Sequence, residues 1–245
     1  QNYNTSGLDY SYGPEKKENR LLTLYANYNK LVESIKSSFD VTAGYDYQYW
    51  KSTTPLYSEM NTLGEIQKTS KAKDERHVLL SYYGRLNYSF DSRYMLTTTI
   101  RRDATSRFAK NVRWGTFPSV ALGWRVTEES FLKDNKVLSN LKLRASYGVT
   151  GQQDGIGNYN YLPIYTQSQN GAEASMGNGY IHTYRPSAYV PDLKWETTTS
   201  WNVGFDFGFL KDRITGSFDY YTRQTKDLIA TVPAAAGTTF DRNIT

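Results

Sequence analysis

The chain has 245 residues, 38% hydrophobic and 15% aromatic with 22 Tyr, and its 29 Lys and Arg against 24 Asp and Glu leave a formal charge of +5. A mean hydropathy of -0.66 and apolar runs far short of the ~20 residues a membrane helix needs exclude helical spans, but not a transmembrane β-barrel, whose alternating strands average out as hydrophilic. With no Cys, only two His (His77 and His182) and Lys and Arg scattered singly or at most in pairs, no catalytic residue, cofactor or metal is expected, and no basic block of the kind that holds nucleic acid is present.

The sequence starts at Gln1, without an initial Met or the basic and apolar segments of a leader peptide, so the chain reads as a portion of a longer polypeptide. A period of two then governs its apolar residues. Strands are predicted near 20–29, 38–50, 78–90, 93–102, 115–126, 141–150, 194–209 and 213–226. In the second, Phe39, Val41, Ala43, Tyr45, Tyr47 and Tyr49 alternate with Asp40, Thr42, Gly44, Asp46 and Gln48. A helix would carry Asp40, Gly44 and Gln48 into its apolar side. The sixth repeats the pattern through Leu141, Leu143, Ala145, Tyr147 and Val149, and the seventh through Trp201, Val203, Phe205, Phe207 and Phe209. Several of these segments reach the ~9–11 residues with which a tilted strand crosses a bilayer, beyond the ~5–6 typical of strands in general. Val41, Ala43, Tyr45, Leu143, Ala145, Val203 and Phe205 are expected to face lipid.

Connections alternate in kind. Segments 29–37, 91–92, 127–140 and 210–212 are short or compact, whereas 51–77, 103–113 and 151–193 are mostly longer, polar and rich in Gly and Asn. Short turns at one end and long loops at the other are the arrangement of outer-membrane barrels. Residues 127–133 read as one helical turn capped by Thr127. Aromatic residues gather at strand ends: Tyr45, Tyr47, Tyr49 and Trp50 on the second, Phe117 and Trp124 on the fifth, Trp195 and Trp201 against Phe207 and Phe209 on the seventh. Girdles at the two lipid–water interfaces give this distribution, and so does a soluble sandwich with its aromatic face as core. The adjacent carboxylates Asp74-Glu75 and Glu128-Glu129 read as solvated.

Several ordered stretches carry a family likeness. Arg101-Arg102-Asp103-Ala104-Thr105-Ser106-Arg107-Phe108, the run from Arg113-Trp114-Gly115-Thr116-Phe117-Pro118 to Gly123-Trp124-Arg125, the run from Leu141-Lys142-Leu143-Arg144 to Thr150-Gly151-Gln152, Leu193-Lys194-Trp195-Glu196-Thr197-Thr198-Thr199 and Asp219-Tyr220-Tyr221 followed by Lys226-Asp227-Leu228 resemble the barrel of SusC/RagA-like TonB-dependent outer-membrane transporters. The resemblance implies an all-β fold, a transmembrane antiparallel β-barrel of about 22 strands of which about eight are present, in the outer membrane of a Gram-negative bacterium. It implies no enzyme but the import of oligosaccharide or peptide. The implied partners are a SusD-like surface lipoprotein, the barrel's own plug domain and remaining strands, the TonB complex reached through an N-terminal part, and outer-membrane lipid. The plug, the energy-coupling box and the closing strand of the family have no counterpart in residues 1–245, which are expected to be barrel alone.

Within that frame the polar register puts Arg85, Asn87, Arg101, Arg144, Glu196, Asn202, Asp206 and Asp219 on the inner wall, facing the lumen or the plug, with Asp40 and Asp46 beside them. The Arg101, Arg102 and Asp103 cluster serves either as a charge network or as a solvated loop base. In the longest loop, Tyr159, Tyr161, Tyr165, Tyr180, Tyr184 and Tyr189 are candidates for contact with cargo or a lipoprotein lid, amphipathic rings being suited to sugar faces and peptide side chains; packing of the loop on itself is the alternative. Pro118 is expected at a strand start or bulge. Two other architectures fit the alternation: a complete eight-stranded barrel with a structural or adhesive role, and a soluble carbohydrate-binding sandwich.

Overall fold

A computed structural model describes residues 8–11, 14–61, 63–132, 135, 137–168, 173–177, 179–186, 189–190 and 192–230. Eight long strands occupy the predicted segments: β1 (Lys16–Val32), β2 (Ser37–Thr54), β3 (Lys73–Phe90), β4 (Tyr94–Thr105), β5 (Trp114–Arg125), β6 (Leu138–Gln152), β7 (Glu196–Phe209) and β8 (Ile214–Lys226). They pair in chain order as a single sheet in which each strand lies beside its sequence neighbours, all antiparallel. β1 and β8 form the two edges and do not pair with each other. The sheet is therefore an open wall, which overturns the closed eight-stranded barrel. The remaining sheets have two or three short strands and belong mainly to the long connections, so no second layer of a sandwich is present among the described residues.

β1 to β4 outrun their predicted bounds by three to five residues toward the long-connection end, whereas β7 begins two residues later than predicted. β1 has 17 residues, which at ~3.3 Å each make ~56 Å of strand, more than the ~9–11 residues of a crossing require. The excess extends each of these strands at the long-connection end. There 57–61 and 66–70 form a hairpin joined by Leu8–Ser11, and Tyr165–Gln167 with Tyr184–Pro186 and Ala174–Met176 with Gly179–Ile181 form two more pairs. These small hairpins lie in segments that read as irregular.

Register converts the alternation into two faces, because paired residues and residues two apart point the same way. Arg85 stands opposite Thr99, Arg101 opposite Phe117, Gly123 opposite Arg144, Arg144 opposite Gly204 and Gly204 opposite Asp219. Arg85, Asn87, Arg101, Arg144, Glu196, Asn202, Asp206 and Asp219 consequently share one face. The other face carries Leu22, Leu24, Val41, Leu96, Ile100, Leu122, Leu143, Ala145, Val203, Phe205 and Phe218, and several of these are more than half exposed, Leu24 at 58% and Phe218 at 58%. An apolar surface of this extent is suited to hydrocarbon rather than water. Its upper border is set by outward cations resting on aromatic rings, Arg20 at 5.7 Å from Tyr49 and Arg102 at 5.1 Å from Trp114, as expected of long basic side chains at an interface.

Burial is concentrated elsewhere. Phe108, Phe117, Ile156 and Trp195 make a small core at the long-connection end, with Leu79, Val112, Val149 and Leu193 against it. Phe117 and Trp195 are thus not girdle residues. Phe117 shares its face with Arg101, and the Trp195 indole, 6% exposed, donates to the Arg113 carbonyl at 2.9 Å. Pro118 lies inside β5, one residue before its pairing with β6 begins at Ser119 and Gly148, so no rung to β6 is lost.

At the opposite end the turns are tight. Asp91 and Ser92 take φ of 49 and 54, and Leu210, Lys211 and Asp212 take 53, 58 and 59, left-handed conformations in which polar turn residues are the least strained. A short 3-10 turn covers Val126–Glu128 without a side-chain cap. Thr127 instead accepts from the Leu141 amide at 3.4 Å, tying the turn to β6. Glu129 is not solvated as expected: it accepts from the Tyr94 hydroxyl at 2.5 Å, the Trp124 indole at 3.1 Å and Arg93 at 3.3 Å. Arg93 also pairs with Asp91, which meets Lys36 at 3.5 Å. The Tyr94 hydroxyl, then the Trp124 indole, holds the Glu129 carboxyl below the ordinary carboxylate range.

Candidate functional site

The polar face is organised by arginines shared between carboxylates. Arg144 binds Asp206 at 2.9 and 3.0 Å and Asp219 at 3.0 and 3.1 Å, bridging β6 to β7 and β8. Gly204 makes room for this, since a Cβ there would collide with the Asp219 carboxylate. Arg101 binds Asp103 at 2.8 Å and the Ser81 hydroxyl at 2.8 Å, approaches Asp46 at 3.7 Å, and lies 5.8 Å from the Tyr83 ring centre. Arg101 and Asp103 thus form the charge network, while Arg102 takes no part in it and faces outward over Trp114. Asn87 accepts from Thr97 at 2.9 Å, and Glu196 accepts from the Ile229 amide at 3.0 Å. Arg85 is exposed and makes no ion pair among the described residues. Solvated pairs of this kind contribute only ~0–1 kcal/mol each; their effect is a hydrated wall whose charges are mostly held by one another.

The six tyrosines of the longest connection do not converge. Tyr159 accepts from the Arg76 amide at 3.3 Å and so fastens the loop to β3, with Tyr161 half-buried nearby in sequence. Tyr165, Tyr180 and Tyr184 stand out on the small hairpins at 65%, 77% and 63% exposure, and Tyr189 is also exposed. No ring contact joins these six.

What does converge is a polar cleft of about 690 Å³ at the long-connection end, between the heads of β1 to β3 and residues 153–158. Trp50 and His77 stack inside it with ring centres 4.6 Å apart and planes 12° from parallel. His77 is 7% exposed, and its Nε2 lies 3.3 Å from the Thr105 hydroxyl. Arg107 closes one side, donating to Asn158 Oδ1 and to the Gln153 carbonyl, each at 3.3 Å, and approaching Asp154 at 3.8 Å. The row of Trp50 and His77 lies one residue above that of Arg20, Tyr49 and Val78, outside the apolar band. Burial, then the Arg107 guanidinium, pushes the His77 imidazole down to about 4, leaving it neutral at ordinary pH. Trp50 is therefore no girdle residue either. The signal was in the alternation: it is a large ring in the register otherwise held by Gln48, Asp46 and Gly44. A larger depression, lined by Leu96, Leu122, Leu143, Phe205 and Phe218, lies on the outer face and is apolar.

Comparison with known proteins fixes the context. Residues 1–244 match the family described as TonB dependent receptor-like, beta-barrel. The chain is 45% identical over 234 residues to the TonB-dependent receptor SusC of Bacteroides thetaiotaomicron, covering 89% of this chain and 23% of that protein. It is 35% identical over 236 residues to the TonB-dependent receptor P39 of Formosa agariphila, covering 88% of this chain and 21% of that one. The chain thus spans less than a quarter of the length of these relatives. A solved structure of the RagAB peptide transporter superposes with a TM-score of 0.76 at 24% identity, over 94% of this chain and 26% of that chain, which is a likeness of fold. An open antiparallel wall, apolar outside and charged inside, is what a sector of a wide barrel must look like, and the chain belongs to the β-barrel family of TonB-dependent receptors, of the SusC/RagA type, in the outer membrane.

Proposed function

We propose that this wall serves TonB-dependent import of a bulky nutrient, an oligosaccharide or a peptide, with its charged face toward the lumen and the plug and its long connections toward a SusD-like surface lipoprotein. The observation that carries the reading is the open eight-stranded sheet with one apolar and one hydrated face, in a chain 45% identical to SusC. The compact turns then lie in the periplasm and the long connections outside. Arg85, exposed and without an ion partner on that face, and the outstanding Tyr165, Tyr180 and Tyr184 are the side chains best placed for transient contact with plug, lid or cargo.

The test uses the full-length transporter in its own bacterium. Uptake of the cognate nutrient is expected to fall to background when TonB is deleted or the proton gradient is collapsed. Excising residues 159–188 should leave the barrel at normal levels, because loop closure depends only weakly on length, while impairing lipoprotein co-purification and growth on that nutrient. Uptake indifferent to TonB and to the gradient refutes import of this class; an excision without effect removes the tyrosines from it.

A further inference from the structure

We propose that the cleft around Trp50 is a cargo subsite for an uncharged, hydroxyl-rich unit, a neutral sugar ring, and that Trp50 and Gln153 set its specificity. This rests on the import reading and assigns a ligand chemistry to one place within it. Three observations converge. First, the charges of the cleft are already spoken for. Lys17 pairs with Glu15 at 3.3 Å, Lys51 with Asp74 at 3.1 Å, Arg107 with Asp154, Glu18 with Arg20 and Glu75 with Lys73. His77 is neutral. A carboxylate, phosphate or ammonium entering here would find each charge already paired and would gain only by exchange between solvated partners.

Second, uncharged hydrogen-bonding groups remain open. The side chains of Asn19 and Gln48 line the cleft and make no hydrogen bond among the described residues. Gln153 Oε1 is buried with no hydrogen bond of good geometry, its side chain lying within hydrogen-bonding reach of His77. A buried acceptor so weakly satisfied is costly, and a ligand hydroxyl is a donor that fits it. Third, the Trp50 ring is held at a fixed angle by the His77 stack and by Thr105 behind the imidazole. A preset aromatic wall beside amides is a binding surface for a ring with one apolar face and a hydroxyl rim. The volume, about 690 Å³, lies within the ~300–1,000 Å³ of ordinary ligand pockets.

The experiment measures binding to the purified full-length transporter in detergent. The probes are neutral hexasaccharides (malto-, xylo-, manno- and fructo-), an oligogalacturonate of the same length and a mixed tryptic peptide digest. Retention of at least one neutral hexasaccharide is expected, weakened about tenfold by Trp50→Ala and by Gln153→Ala, and largely kept by Trp50→Phe, which preserves an aromatic face. Outer-membrane level and heat-modified mobility of each variant report the fold, and the KM for uptake should rise in step with the loss of affinity. Retention confined to the acidic or peptide probes, retention of none, or a neutral sugar held equally by wild type and both alanine variants overturns the proposal. TonB-dependent uptake that ignores these variants sinks the subsite and leaves import standing, whereas wild-type uptake that ignores TonB sinks import whatever the variants do.

Discussion

The two ends of the wall are made by different physics. At the compact end each turn is closed by groups near in sequence or on adjoining strands: Asp91, Arg93, Tyr94, Trp124 and Glu129 form a polar network around left-handed turn residues. At the long-connection end the fixture is apolar and its members come from far apart, Phe108, Phe117, Ile156 and Trp195, with ring centres of Phe108 and Phe117 at 5.4 and 5.3 Å from Trp195. Where connections are short, local polar bonds suffice to fix geometry. Where they are long, a core must be assembled to stop them from wandering, and the polar cleft sits against that core.

The contrast predicts where the molecule breaks. The all-or-none test is sidedness: a tag inserted at Gly64 should be labelled on intact cells and one at Asp212 only after permeabilisation, and the reverse result would invert the wall. Next in size, Trp195→Ala should cost ~3–5 kcal/mol, felt at one end. Proteolysis of residues 151–195 should accelerate in the full-length transporter while the barrel survives, and equal protection of variant and wild type would deny the core its role. Ala145→Arg, on the lipid face, should cost ~2–4 kcal/mol against little for Ser146→Arg, read as unfolding midpoints in lipid vesicles; equal shifts would contradict the assigned faces.

The smallest effect is expected at Glu129. Its carboxyl is held below the ordinary value of 4.5 by Tyr94 and Trp124, so its contribution is complete above that value and is lost as pH falls through the lower folded one. The unfolding midpoint of wild type should exceed that of Glu129→Gln at neutral pH, and the two should converge in acid. A difference independent of pH would place the Glu129 effect in packing and not in charge.

Strands, faces and the alternation of short and long connections were legible because a period of two admits one register per strand once a face is apolar, as Val41, Ala43 and Tyr45 show on β2. Aromatic residues were harder. Trp124 and Trp201 lie on the apolar face, as the girdle reading requires, but Trp50, Phe117 and Trp195 do not, since an aromatic residue at a strand end looks the same in sequence whether it meets lipid, a lumen wall or a loop core. Parity alone separates Trp50 and Phe117 from the others, and for Trp195, which precedes β7, even parity is silent. The cleft was illegible for the same reason: Trp50, His77, Arg107 and Gln153 meet only after three connections have folded. The six tyrosines stood out by composition, yet composition says nothing of convergence.

The ladder between β5 and β6 stops at Ser119 and Gly148, although both strands continue, and beyond it the two are held by side chains around Trp195. Hydrogen-bonded rungs resist shear along a strand and give way abruptly, whereas interleaved rings slide and recover. The wall therefore has a line of mechanical compliance at its outer rim, next to the cleft. Amides of residues 149–151 should exchange with deuterium faster than those of 143–148, the yielding being confined to that line while the rungs below it stay paired.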